Sequence, residues 1–157
     1  MLCSLAGTRF SPDECWRELH GGSAGRSDHD FAIYPTQAID GLVTEFGGDE
    51  LRIALEAQPA DAHGRRCAVG GAVTTPAFYE LRELYSSLIH AVPPFYRAPE
   101  WQRQLRQTYH AAFDTAHRGG LGTLAVPLLG AGARGAPKAD AMRVAAEAVV
   151  SWRAASP

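Results

Sequence analysis

A glycine-rich run, Gly130-Ala131-Gly132-Ala133-Arg134-Gly135-Ala136-Pro137, constrains this chain more than any other segment. It follows an apolar strand-like run, Leu124-Ala125-Val126-Pro127-Leu128-Leu129, and leads into a helix-like run over residues 138–152. A strand, a glycine loop and a helix N-terminus in that order can cradle phosphate. Backbone N–H groups face the anion, the helix dipole favours negative charge, and missing Cβ atoms permit close approach. The residues expected to line such a loop are Gly130, Ala131, Gly132, Ala133, Arg134 and Gly135. The ligand class it points to is a phosphorylated small molecule. The competing reading is a tight turn that serves only the fold.

At 157 residues the chain is long enough for one domain with a real core. Hydrophobic residues make up 46% and charged residues 20%, which fits a folded chain and not a disordered one. A net charge of −2 gives no bulk attraction to nucleic acid or to an anionic membrane, so neither is an expected partner. Cys3, Cys15 and Cys67 have no CxxC spacing and suit a reducing compartment better than a disulfide framework. No apolar stretch approaches membrane-spanning length. The first residues lack the basic and apolar blocks of a secretory signal. The expected location is therefore intracellular, cytoplasmic or nuclear, with an organelle left open.

Three glycines and two serines make residues 20–30 read as a loop. Phe31-Ala32-Ile33-Tyr34 reads as a short strand stopped by Pro35. A helix is expected over residues 49–57, capped by Asp49, followed by a polar loop over 58–65. Strands are expected at 67–75, broken by Gly70-Gly71, and at 84–92, ended by Pro93-Pro94, with a connection over 76–83. Trp101, Leu105, Tyr109, Ala112, Phe113 and Ala116 repeat at helical spacing, and this helix should stop near Gly119-Gly120. A strand over 121–129 should follow, then a last helix burying Ala141, Val144, Ala145, Ala148 and Trp152. Alternating strands and helices favour an α/β sheet with its ligand at the carboxyl ends of the strands.

Several of these pieces together resemble the macro domain family. Leu88-Ile89-His90-Ala91-Val92-Pro93-Pro94-Phe95-Tyr96 resembles the family's "IHxVgPxW" segment, and Gly70-Gly71-Ala72-Val73 its "GxAvxT" strand. Leu105-Arg106-Gln107-Thr108-Tyr109 resembles its "LxxaYxxaL" helix. Thr123 to Gly132 resembles "sIAfPxLgtG", and Gly135-Ala136-Pro137-Lys138 the "GfPk" that follows it. Tyr34-Pro35-Thr36-Gln37-Ala38-Ile39-Asp40 looks nearest to the corresponding segment of macro-histone variants. The resemblance implies a three-layer α/β/α fold with a mixed sheet between helices. Residues 31–157 would form the macro-like body, and 1–30 a divergent N-terminal strand and loop of the same domain. It also implies ADP-ribose or a related nucleotide as ligand. The 130–135 loop would hold the phosphates, and Gln37, Gly41 and Val43 would stand on the ribose side.

The chain departs from the family pattern at that ribose side. Active members carry an amide pair where Tyr34 and Gln37 stand, and Gln has the amide atoms on a longer stem. The family's first glycine loop is reduced to Asp40-Gly41-Leu42-Val43, and Glu45 near a diphosphate would repel it. Ala131 replaces a hydroxyl donor, whereas Arg134 brings a guanidinium that can pair with phosphate. No residue is recognisable as the family's adenine-binding acid, with Asp13, Asp28 and Asp30 as candidates. His90 reads as a core histidine and Cys67 as a small buried hydrophobe. Asp28-His29-Asp30 lacks a second ligand cluster, and His110 and His117 lack the spacing of a helical zinc pair, so no metal is expected. No catalytic triad assembles, and no cofactor is called for.

Three readings follow. The first is a degenerate, non-catalytic module that binds ADP-ribose or a related nucleotide phosphate. The second is a pseudo-module with no ligand, serving protein partners as a subunit of a larger assembly. The third is a residual ADP-ribosyl hydrolase or deacylase.

Overall fold

The computed structural model describes residues 2–4, 39–62, 64–132 and 134–155. Its elements are β1 (Leu2–Ser4), α1 (Ile39–Glu56), β2 (Ala72–Pro76), a 3-10 helix (Tyr79–Glu83), β3 (Ser87–Ala91), α2 (Trp101–Arg118) and α3 (Lys138–Ala155). The strands form a mixed sheet in the order β1-β3-β2. β1 runs parallel to β3, with Cys3 opposite His90. β2 runs antiparallel to it, with Val73 opposite His90.

The central position of β3 follows from its sequence. Leu88, Ile89 and Ala91 are fully buried, as a strand covered on both faces requires. Its alternation divides the core. Ile89 and Ala91 pack with Leu105, Tyr109, Ala112 and Ala116 of α2, with Val144 and Ala148 of α3, and with Leu129. Leu88 packs with Val43, Leu51 and Leu55 of α1 and with Ala77 and Leu81.

The helices α2 and α3 match expectation. Leu105, Thr108, Tyr109, Ala112 and Ala116 face inward, and the helix ends where Gly119 N–H donates to the Thr115 carbonyl at 3.1 Å. Its last turn carries His117 and Arg118, which suit the negative end of the helix dipole. From α3, Ala141, Val144 and Ala148 are buried, while Ala145 and Trp152 are half-buried. Trp152 Nε1 donates to Asp114 Oδ1 at 2.7 Å and its ring meets Phe113 edge-on at 5.5 Å, tying α3 to α2.

The strands and α1 correct the sequence reading. Residues 67–71 turn before β2 begins: Gly71 N–H donates to the Ala68 carbonyl at 2.9 Å, and Gly70 has φ +88°. Residues 84 and 85 close the 3-10 helix through N–H bonds to the Leu81 carbonyl, so β3 starts at Ser87. The expected strand over 121–129 has no strand partner among the described residues. Both edges of β3 are already occupied, and this segment packs Leu121, Leu124 and Leu129 against the α2 side of the core. Helix α1 begins at Ile39, not Asp49, and is kinked at Gly48, whose φ 60° and ψ −162° are not helical. The Asp40-Gly41-Leu42-Val43 segment, expected as a shortened ligand loop, is therefore helical. Val43 is 2% exposed, and its core packing overrides the loop signal of the nearby glycines. The Asp49 carboxylate lies 3.5 Å from Arg52 Nε. The expected loop over 20–30 and strand over 31–34 lie outside the described residues.

Candidate functional site

The glycine loop connects Leu129 to α3, and its shape is set by two short internal bonds. Ala136 N–H donates to the Gly130 carbonyl, and Gly135 N–H to the Gly132 carbonyl, both at 2.9 Å. Gly130 and Gly135 sit at φ +83° and +79°, a region that side-chain-bearing residues rarely adopt. Gly130 also lies against α2, because a Cβ there would stand 3.4 Å from Leu105 Cδ2. Gly132 differs from both. It is exposed, and a Cβ built on it meets no atom of the described residues within 4 Å. Among the described residues, no carbonyl or side chain accepts from the N–H of Ala131 or Gly132. The loop then enters α3 through Pro137, whose carbonyl accepts from Ala141 N–H at 3.0 Å. The first-turn amides of an α-helix have no partner within it, so the loop and the helix start offer main-chain donors in succession.

Neighbouring elements hold this loop. Tyr109, one turn after Leu105 on α2, is 2% exposed, and its hydroxyl oxygen accepts from Leu129 N–H at 2.9 Å. On the other side runs the connection from β3 to α2. Tyr96 N–H donates to the Arg134 carbonyl at 2.8 Å. The Arg134 guanidinium lies over the Phe95 ring, 4.2 Å from its centroid, and the residue is 6% exposed. Tyr96 meets Trp101 edge-on at 5.1 Å. Arg97 and Glu100 in the same connection take positive φ values of 67° and 56°.

The structure thus places Gly130, Ala131, Gly132, Arg134 and Gly135 in one turn, with Ala133 outside the described residues. Arg134, expected to reach for phosphate, instead turns its guanidinium onto Phe95. Gln37 lies outside the described residues, as do Asp13, Asp28 and Asp30. Gly41 belongs to α1, and the Val43 side chain is a core side chain packed with Leu51 and Leu88, not a ligand-facing one. The contributions of Tyr109 and Phe95 escaped the sequence reading. Helical spacing marks Tyr109 as a packing residue, but a buried tyrosine hydroxyl ordinarily finds a hydrogen-bond partner as well.

The other chemical candidates are structural. His90 is fully buried, with Nε2 2.8 Å from Thr75 Oγ1 and, among the described residues, no hydrogen-bond partner on Nδ1. Burial lowers its pKa to about 4, so the ring is neutral at pH 7. Burial also pushes the Cys67 thiol up to about 11, away from a reactive thiolate. His110 Nε2 lies 2.9 Å from Ser151 Oγ and 3.1 Å from the Ala148 carbonyl oxygen, and His117 packs against the Trp152 ring. Among the described residues, no group of three His, Cys, Asp or Glu side chains is placed to hold a metal. Among them too, no helix is long and apolar enough to cross a membrane. Chemically, the loop can bind an anion through its main chain; its side chains are Gly, Ala and Arg, with no nucleophile or general base.

The macro domain family model matches residues 32–145, which include α1, the whole of β2 and β3, α2 and the glycine loop. Among solved structures, a mutant Oceanobacillus iheyensis macrodomain is similar at 18% identity and a TM-score of 0.71, covering 99% of this chain and 68% of that one. Another mutant of the same macrodomain, with ADPR, matches at 21% identity and a TM-score of 0.67, covering 76% of this chain and 64% of that one. The Oceanobacillus iheyensis macrodomain with ADP matches at 22% and 0.65, over 73% of this chain and 60% of that one. The chain thus spans between 60% and 68% of the length of these three structures. With the family model covering most of the sequence and the fold matching independently, the chain belongs to the macro domain family.

Proposed function

We propose that this domain binds ADP-ribose or a related nucleotide diphosphate through the 130–135 loop, without hydrolysing it. One observation carries the reading: the loop is held in a tight turn by its own bonds and its neighbours, while Gly132 at its tip is exposed, with no atom of the described residues within 4 Å of its Cβ position. That combination leaves room for an anion against the main chain. The similar macrodomains with ADPR and with ADP support the ligand class. The absence of catalysis rests on Tyr34 and Gln37 in place of an amide pair, and on the helical course of Asp40-Gly41-Leu42-Val43. A water placed about an ångström from its productive position costs ~10²-fold in rate. The packing of β3 towards α1 on one alternation and towards α2 and α3 on the other supports the three-layer α/β/α arrangement. Kinship with macro-histone variants rests on the Tyr34-Pro35-Thr36-Gln37 segment alone, and an intracellular location on cysteine usage and composition.

Titration calorimetry with ADP-ribose tests the reading. Saturable binding supports it, and no heat at millimolar ligand removes it. In the binding protein Gly132→Glu places a carboxylate in the open space at the loop tip and weakens affinity by at least about tenfold. Unchanged affinity in that variant puts the ligand elsewhere. Release of ADP-ribose from a modified protein would replace the non-catalytic part of the reading by the hydrolase one.

A second reading has its own observation. The outer face of α3 exposes Met142, Val149 and Val150 at 61%, 42% and 69%. Apolar side chains grouped on one helix face fit a subunit or scaffold role with protein partners.

A further inference from the structure

The connection from β3 to α2 grips Arg134 at both ends. Its carbonyl accepts from Tyr96 N–H at 2.8 Å, and its guanidinium lies 4.2 Å over the Phe95 ring. Arg134 stands directly before Gly135, whose N–H closes the turn onto the Gly132 carbonyl. Fixing Arg134 therefore fixes the turn that carries the exposed Gly132. We propose that Phe95, acting through Arg134, is a positioning residue that sets the phosphate loop in its binding shape before any ligand arrives.

The connection that holds Arg134 also contains two non-glycine residues at positive φ, Arg97 and Glu100. Such conformations persist where the surroundings over-determine them, which is common next to binding sites. A loop fixed in this way binds without an ordering cost at the moment of association.

This inference rests on the phosphate-binding reading, and its test separates the two. Hydrogen exchange is followed in the unliganded protein, and ADP-ribose affinity is measured by calorimetry, for wild type, Phe95→Leu and Phe95→Trp. Phe95→Leu should speed exchange at the Tyr96 and Gly135 amides by about tenfold, with amides inside α2 unchanged, and weaken ADP-ribose by about three- to tenfold. Phe95→Trp keeps an aromatic face and should restore both. Unchanged exchange in Phe95→Leu, or equal losses in both variants, overturns the clamp. If Phe95→Leu does not fold, Arg134→Lys keeps the charge, loses the planar face and is read in the same way. Wild-type protein that binds no ADP-ribose overturns the phosphate part alone, because the exchange arm still decides whether Phe95 fixes the loop.

Discussion

His90 shows how one residue in the middle of the sheet couples stability to pH. Its ring is held neutral by burial, with a pKa of about 4, against about 6.5 in an unfolded chain. As pH falls, the unfolded chain takes up the proton first. The stabilisation is therefore complete above about pH 6.5 and is lost as pH falls towards about 4. A gap of this size corresponds to roughly 3 kcal/mol. Urea unfolding at about pH 7.5 and about pH 4.5 should show that loss, and His90→Gln should reduce it against the same carboxylate background. The burial of this histidine was legible in the sequence, since it sits within an apolar run; its one-sided pairing with Thr75 was not, because the strand register decides it. The glycines of the loop separate in a similar way. Gly135→Ala forces a Cβ into φ +79° and should cost about 1 kcal/mol or more, whereas Gly132→Ala meets open space and should leave the denaturation midpoint nearly unchanged. The sequence marks both as glycine alike, and only the backbone angles assign one to shape and the other to access.

Helix α2 has two tasks along one face. Leu105 and Tyr109 lie one turn apart, the first against Gly130 and the second accepting from Leu129 N–H. Tyr109→Phe keeps the packing and removes the acceptor, leaving a buried N–H unpaired. Such a loss costs about 1–3 kcal/mol and should appear as a lower denaturant midpoint with an unchanged slope. Faster exchange confined to the Leu129 amide and its loop neighbours would identify the bond as the cause. Helices α2 and α3 were legible because apolar residues recur at helical spacing over several turns. Strands β2 and β3 are shorter than the apolar runs that mark them. An apolar run reports burial, whereas pairing depends on which edges are free, and β1 and β2 take both edges of β3. The start of α1 was hidden for another reason: Gly41 and Gly47-Gly48 read locally as a loop, and only the packing of Val43 on Leu51 and Leu88 shows otherwise.

At the scale of the whole molecule, ligand binding and folding are linked. A ligand that binds the folded state alone stabilises it by about 2.7 kcal/mol at a concentration ~100 times its Kd. For a domain of this size that is a rise in melting temperature of roughly 5–10 °C. ADP-ribose should produce such a rise in wild-type protein. At the same ADP-ribose concentration Gly132→Glu should show at most about half that rise, because a Kd raised at least about tenfold leaves RT ln(1 + 10), about 1.4 kcal/mol, or less. Gly130 and Gly135 cannot serve this purpose, since substitution at positive φ lowers stability by itself and would confuse weak binding with weak folding. Equal shifts in wild type and Gly132→Glu would place the ligand away from this loop. No shift in wild type, at a concentration where calorimetry is also silent, would leave the apolar outer face of α3 as the feature that the fold preserves for a purpose. Charged substitution at Val150, 69% exposed, would then be expected to leave the melting temperature unchanged while abolishing co-purification of a protein partner.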